Sequence, residues 1–160
     1  MWVQIPGFPD YEISDQGEVY NVRGEHYMTL SPTQYGDMTV GLTKDGRQFR
    51  RSVRRLVAEL FVDGHSHIFD TPILLNQDRS DLRAENMAWR PRWFAWRYAH
   101  QFIETNPIWF EYPVREVGSG RRYVHIMAAA MDNGLLCNDI ITSIRGKWNV
   151  YPTAQLFERI

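Results

Sequence analysis

Residues Ile73–Trp89 read ILLNQDRSDLRAENMAW, and the fold turns on how this stretch is divided. Ile73-Leu74-Leu75 is a short apolar run of buried-strand type. It ends at the polar pair Asn76-Gln77, after which Asp78, Ser80 and Asp81 supply turn chemistry, because short polar side chains bond their own backbone. Asp81 has the side chain of an N-cap. Leu82–Met87 is therefore expected as a short helix, with Glu85 near its first turn and Asn86 towards its end.

Upstream, residues 1–50 read as short strands joined by turns. Glu12–Ser14 and Glu18–Val22 flank an Asp-Gln-Gly turn. Met38–Thr43 alternates before Lys44-Asp45-Gly46-Arg47, and Asp-Gly between strand-like runs is a strong hairpin signal. Gln48–Val53 is the returning strand. In Arg54–Phe61, Leu56, Val57, Leu60 and Phe61 fall at helical spacing. Asp63–Asp70 is a polar loop.

Downstream, Trp93–Ile103 is aromatic-rich and of helical pattern, with Trp93, Trp96, Ala99 or His100, and Ile103 on adjoining faces. Thr105-Asn106-Pro107 breaks the pattern and marks a module boundary. Beyond it, Trp109–Val117 and Arg121–Val124 read as strands around Gly118-Ser119-Gly120. Ile126–Asn133 reads as a helix stopped by Gly134, and Asn138 as the cap of a second helix, Asp139–Ile144, closed by Gly146. The fold class is α+β: a small antiparallel-strand module with the Ile73–Trp89 unit over residues 1–104, then a β-hairpin and helix pair over 105–160.

Composition bounds the function classes. With 44% hydrophobic and 23% charged residues the chain is of ordinary globular type, which excludes global disorder. Its net charge of −1 does not by itself favour nucleic acid, yet Arg47–Arg55 holds five arginines in nine residues, so a local basic face survives the neutral total. The one cysteine, Cys137, excludes an internal disulfide and a cysteine zinc site, and reads as a small apolar residue. The opening MWVQIPGFPDYE is not of signal-peptide type, and no apolar run approaches the roughly 20 residues of a membrane span. A soluble protein of the cytoplasm, with no membrane partner, is expected.

Several motifs are more specific. Trp2-x-x-Ile5-x-Gly7-Phe8, Tyr11-Glu12-Ile13-Ser14 and Gly17-Glu18-Val19-Tyr20-Asn21 are followed by Leu30-Ser31-Pro32, Tyr35-Gly36 and Val53-Arg54-Arg55-Leu56-Val57-Ala58-Glu59-Leu60-Phe61. Together they resemble the modular DNA-binding element that precedes HNH (His-Me finger) domains in phage and intron-encoded homing endonucleases. Ile73–Trp89 has the outline of the HNH motif itself, and the resemblance runs over residues 2–93. Arg115–Gly120, Ala128-Ala129-Ala130, Gly134-Leu135, Ile140-Ile141 and Ser143–Lys147 are similar to the helix-turn-helix repeat that ends such enzymes.

The resemblance implies hydrolysis of a phosphodiester by one divalent metal, with a histidine taking the proton from water. On the matching positions Asn76 falls at the first metal ligand, Gln77 at the general-base histidine and Asn86 at the second ligand. Arg54 stands where the family often has histidine, and the turn Asp78–Arg83 is shorter than the family's usual one. A glutamine amide is neutral and takes no proton as imidazole does. Two amides hold Mg²⁺ poorly, since hard cations favour carboxylate oxygen. A rebuilt metal site would draw on His65, His67, Asn86 and Asp78 or Asp70. The bland alternatives are solvated loop histidines and an Asn86 that caps a loop.

The reading that follows is a phage-type nucleic-acid-binding protein derived from an HNH homing endonuclease, without catalysis or cofactor, in a regulatory role or a nucleoprotein assembly. Its partner is DNA, with RNA or a large protein complex as alternatives. Arg47, Arg50, Arg51, Arg54, Arg55, Arg90 and Arg92 are the candidate phosphate contacts. Asn138, Thr142, Ser143, Arg145 and Lys147 are the candidates on the last helix. Against it stand a Mg²⁺-dependent nicking enzyme and a subunit that docks on a polymerase or ribosome. The aromatic residues from Trp93 to Tyr112 are read as core or interface in preference to a base-stacking platform.

Overall fold

Alternation of apolar and polar residues builds the first sheet. The computed structural model describes residues 1–103 and 112–160. Strands β1 (Trp2–Ile5), β2 (Phe8–Ser14), β3 (Val19–Asn21) and β4 (His26–Tyr27) pair antiparallel in that order. The register Val3↔Ile13↔Val19 puts these three on one face, and Ile13 and Val19 are buried. Trp2, Tyr20 and Tyr27 stand together on the other face, ring centroids 5.0–6.5 Å apart, with Trp2 and Tyr27 exposed.

A second sheet holds β5 (Ser31–Pro32), β6 (Met38–Lys44) and β7 (Arg47–Ser52). The expected Asp45-Gly46 hairpin is present, with φ of 52° and 73° at its two central residues, the pair of positive values that Asp-Gly tolerates. Helix α1 (Val53–Phe61) starts where Ser52 Oγ accepts the Arg55 N–H at 3.3 Å, a cap the apolar spacing alone did not reveal. It buries Val53, Val57 and Ala58 against Ile5, Ile13, Val40, Leu42, Leu74 and Trp89.

The Ile73–Trp89 stretch departs from expectation in its second half. Strands β8 (Thr71–Leu74) and β9 (Met87–Arg90) pair antiparallel, with Pro72↔Trp89 and Leu74↔Met87 opposite. The expected helix over Leu82–Met87 is a single 3₁₀ turn, Ala84–Asn86. Six residues do not offset the cost of nucleating a helix, and two competing bonds win. Asp81 ion-pairs with Arg83, and the Ala84 N–H donates to the Asp15 carbonyl at 2.7 Å. Met87 and Trp89, buried alternately about Ala88, follow strand period.

The backbone divides into two compact units, Met1–Arg92 and Trp93–Ile160. The second begins essentially with α2 (Arg92–Gln101), whose buried residues are Phe94 and Tyr98, while Trp93 and Trp96 are exposed. Of the aromatic residues read as core or interface, Phe94 and Tyr98 are therefore core, and Trp93 and Trp96 lie on the outer side. The Thr105-Asn106-Pro107 break, and Trp109 and Phe110, lie outside the described residues. Strands β10 (Val114–Glu116) and β11 (Arg122–Tyr123) form the expected hairpin, held by Glu116, whose carboxylate accepts the N–H groups of Gly118 (3.1 Å) and Ser119 (2.5 Å).

Helix α3 (Ile126–Asn133) is closed by Gly134 as expected. Helix α4 (Cys137–Gly146) starts one residue before Asn138, which therefore lies inside the helix and does not cap it. An unexpected strand, β12 (Phe157–Arg159), pairs with β10 and adds Phe157 to a core of Val114, Ala129, Leu135, Ile140 and Val150. The α+β class holds: small antiparallel sheets and four helices among the described residues. No helix among them is long and apolar enough to cross a membrane.

Candidate functional site

At the open end of β8–β9 the amides face one another. Asn86 is buried, its Oδ1 accepts the Asn76 backbone N–H at 3.1 Å, and its Nδ2 donates to Asn76 Oδ1 at 2.9 Å and to the Asp81 carbonyl at 3.0 Å. Asn76 Oδ1 also accepts the Asp78 N–H at 2.9 Å, and Asn76 Nδ2 donates to Asp81 Oδ2 at 2.9 Å. Every side-chain polar group of both asparagines is thus used within the turn. Gln77 sits at φ 60°, and its Nε2 folds back to donate to the Leu74 carbonyl at 2.6 Å.

The nearby carboxylates are equally occupied. Arg83 grips Asp81 with Nε and Nη2, at 2.7 and 2.8 Å, and also pairs with Glu85. Chiefly through that Arg83 contact, the Asp81 carboxyl is lowered to about 2. Asp78 accepts the Ser80 hydroxyl and N–H, at 2.6 and 3.0 Å, and these bonds hold its pKa below the usual value. Asp70 accepts from Thr71 Oγ1 at 2.9 Å. His65 packs edge-on against Trp89, centroids 4.7 Å apart, and His67 is exposed in the same loop.

The divalent ion used by the fold family needs several free oxygen donors. Here the two amides are bonded to each other, and each carboxylate of the turn has a protein partner. Among the described residues no group of three or more His, Cys, Asp or Glu could hold a metal ion. Asn76, Asn86 and Asp78 are brought together but bonded to each other and to Ser80, and His65 packs against Trp89, so as arranged these residues do not fit such an ion.

The arginines of β7 and α1 have unlike surroundings. Arg47 and Arg50 are exposed, and Arg50 makes a long 3.4 Å contact to Thr39 Oγ1. Strand alternation sends them to opposite faces. Arg51 lies over the rings of Phe8 and Phe49, 5.4 and 5.3 Å from their centroids. Arg55 bonds Glu59 and the Asp70 carbonyl and lies 5.9 Å from the Trp89 ring. Arg54 is half-buried beside Asp37. Burial lowers its pKa, Asp37 opposes the shift and Arg79 adds to it. Arg90 is buried and donates to the Trp89 carbonyl at 2.8 Å, a structural position, whereas Arg92 is exposed. Arg79, a lone arginine in a polar turn with no periodic signal, was not singled out by sequence, although it neighbours both Arg54 and Gly36.

In the second unit Asn138, Thr142 and Arg145 fall on one exposed face of α4, followed by exposed Lys147. Ser143 does not join them. It is buried, and its Oγ accepts the Phe157 N–H at 3.1 Å, tying α4 to β12. Asp132 is neutralised by Arg121 at 3.0 Å and the Tyr123 hydroxyl at 2.7 Å. Asp139 is half-buried, and burial raises its pKa while Arg97 opposes. Cys137 is buried, which pushes its thiol up to about 12 and leaves it inert at neutral pH.

Comparison with known proteins bears on the fold. Residues 1–43 match the model of the NUMOD4 motif, which is found in homing endonucleases. The chain is similar over 100% of its length to 98% of a chain in the solved structure described as "DNA binding and cleavage by the HNH homing endonuclease I-HmuI", with a TM-score of 0.60 and 19% sequence identity. No curated protein sequence matches. The resemblance to HNH homing endonucleases therefore stands on the N-terminal motif and on the fold.

Proposed function

We propose that this chain is a DNA-binding protein built on the HNH homing-endonuclease fold, in which the cleavage site has become a structural turn. The observation that carries the reading is the reciprocal Asn76–Asn86 pair beside a Gln77 that bonds its own strand. A side chain whose amide oxygen and nitrogen are both engaged inside the protein is a poor metal ligand, and glutamine is no base. Retained binding is supported by the structural neighbour, whose description is of DNA binding and cleavage, and by exposed basic groups on each unit. Arg47, Arg50 and Arg92 serve the first unit, and Asn138, Thr142, Arg145 and Lys147 the second. A regulatory role, or a place in a nucleoprotein assembly, suits binding without cleavage.

The test pairs two assays on the purified full chain. Gel shifts on duplex DNA in chelator, over a salt series, are expected to show binding that weakens steeply as salt rises. Supercoiled plasmid incubated with Mg²⁺ or Mn²⁺ is expected to stay intact. Metal-dependent nicking that disappears in Asn86→Ala would overturn the loss of catalysis. Failure to bind any duplex, together with a complex from lysate that survives nuclease treatment, would replace DNA by a protein partner.

A further inference from the structure

The geometry points to a metal-free binding site for a backbone phosphodiester, formed by Arg54 and Arg79 beside the turn that carries Asn76 and Gln77. The site rests on the DNA-binding reading above and adds to it where, and with what groups, the first unit neutralises a phosphate.

Three observations meet here. First, Arg54 Nε and Asp37 Oδ1 face each other at 3.7 Å, too far for a hydrogen bond, and both atoms are buried with no hydrogen-bond partner among the described residues. A buried donor left in this state costs free energy unless something else accepts from it. Second, Arg79 lies over Gly36. A Cβ there would come within 2.6 Å of Arg79 Nη1, and Gly36 has φ 84°, a conformation in which a side chain is strained. The small residue leaves room for the guanidinium. Third, the turn that presents Gly36 and Asp37 is pinned by Thr33, whose carbonyl accepts the Gly36 N–H at 2.9 Å and whose hydroxyl accepts the Asp37 N–H at 3.3 Å. The backbone beneath both arginines is therefore held by the turn's own hydrogen bonds.

Asp37 pairs loosely with Arg54, while Arg79 stands over the neighbouring Gly36, so two guanidiniums meet one nearby carboxylate and a net positive charge remains. Burial lowers the Arg54 pKa most, Asp37 opposes that shift, and the charge of Arg79 adds a smaller lowering effect, so the two guanidiniums sense one another. The other carboxylates of the neighbouring turn do not redress the balance: Asp78 is turned to Ser80 and Asp81 to Arg83. A phosphodiester has one negative charge and two non-bridging oxygens, and guanidinium forks match that geometry. It would offset the unbalanced charge of the two guanidiniums and relieve the repulsion between them. Positive charge supplied by side chains would then stand close to where the fold family places a metal, and binding would need no cation. Free phosphate has the same chemistry, so the experiment separates the two.

Fluorescence anisotropy of a labelled duplex, in chelator and over a KCl series, compares the wild type with Arg79→Gln and Arg54→Gln. Arg79 is exposed, so Arg79→Gln keeps the test valid if Arg54→Gln fails to fold. The expected result is metal-independent binding by the wild type. In Arg79→Gln, affinity falls about 3- to 10-fold and the slope of log K against log[salt] drops by about 0.9, the value of one phosphate contact. Wild-type binding with an unchanged slope in both variants overturns this site and leaves the DNA-binding reading intact. No duplex binding by the wild type overturns both. Inorganic phosphate is titrated in parallel by following amide chemical shifts. Saturable, Arg79-dependent binding of inorganic phosphate with an unchanged duplex slope overturns the assignment to a backbone phosphodiester.

Discussion

Asn86→Ala separates a structural turn from a metal site. Asn86 is buried and makes three side-chain hydrogen bonds, at 2.9, 3.0 and 3.1 Å. A typical intramolecular hydrogen bond contributes about 1 kcal/mol net, and a buried partner left unpaired costs more. Asn76 is exposed and can turn to water, so its losses are partly recovered. The sum is about 2 kcal/mol. For a unit of this size each kcal/mol moves Tm by about 4–8 °C, so the melting midpoint falls by about 8–16 °C, equally in chelator and in Mg²⁺. Asn86→Asp sharpens the contrast. It keeps an acceptor for the Asn76 N–H but sets a second oxygen against Asn76 Oδ1 and the Asp81 carbonyl, and turning Asn76 over only moves the clash to Asp81 Oδ2. A structural turn predicts that Asp is about as damaging as Ala. A metal ligand predicts that Asp is tolerated and gains stability in Mg²⁺. Circular-dichroism melts of both variants decide it, and an Asn86→Ala midpoint within about 2 °C of the wild type would refute the reasoning.

Three further outcomes follow from the same geometry. Asn76→Asp places a new carboxylate where Asn76 Nδ2 donates to Asp81 Oδ2 at 2.9 Å; its Tm should drop in chelator and recover with Mg²⁺, since a divalent cation relieves paired carboxylates, and a melt indifferent to Mg²⁺ would count against the placement of Asp81. Asp81 titrates near 2 when folded against about 3.9 when unfolded, so its contribution is complete above pH about 4 and is lost as pH falls towards 2. Acid melts of Asp81→Asn should lose that limb, with an amplitude kept small by solvent exposure. Arg51→Ala, which removes two cation–π contacts, should lower stability by about 1 kcal/mol without changing the salt slope of DNA binding, whereas Arg47→Gln with Arg50→Gln should lower the slope without lowering Tm.

The parts of the fold that sequence made legible are those whose signals are local. Asp45-Gly46 specifies its hairpin through backbone φ alone, and the spacing of Val57, Leu60 and Phe61 identifies α1 without reference to a partner. Illegible features depend on groups distant in sequence. Strand β12 gains its place from β10, more than forty positions away, and Ser143 is hidden because Phe157 bonds it. The Ile73–Trp89 stretch lies between these cases. Its first strand and acidic turn could be read directly. Its helix could not, because Asp15 and Gly17 lie in the distant turn between β2 and β3 and reach Ala84 and Leu82 only in the folded unit.

The same distinction governs the candidate site. Residue types at Asn76, Gln77 and Asn86 revealed a changed active site, but either a capping or a ligating Asn86 satisfied the sequence equally well. What separates them is the register of β8 and β9. With Leu74 opposite Met87, the Leu75 N–H reaches the Asn86 carbonyl at 2.8 Å, and the two asparagine side chains are brought face to face. Shifting that register by one residue would turn Asn86 to the opposite face of the hairpin and free both amides. The closure of the turn is therefore a property of the hairpin and not of the asparagines alone. On the reading proposed here, returning a histidine to position 77 would restore a proton acceptor without freeing the two positions a metal would need.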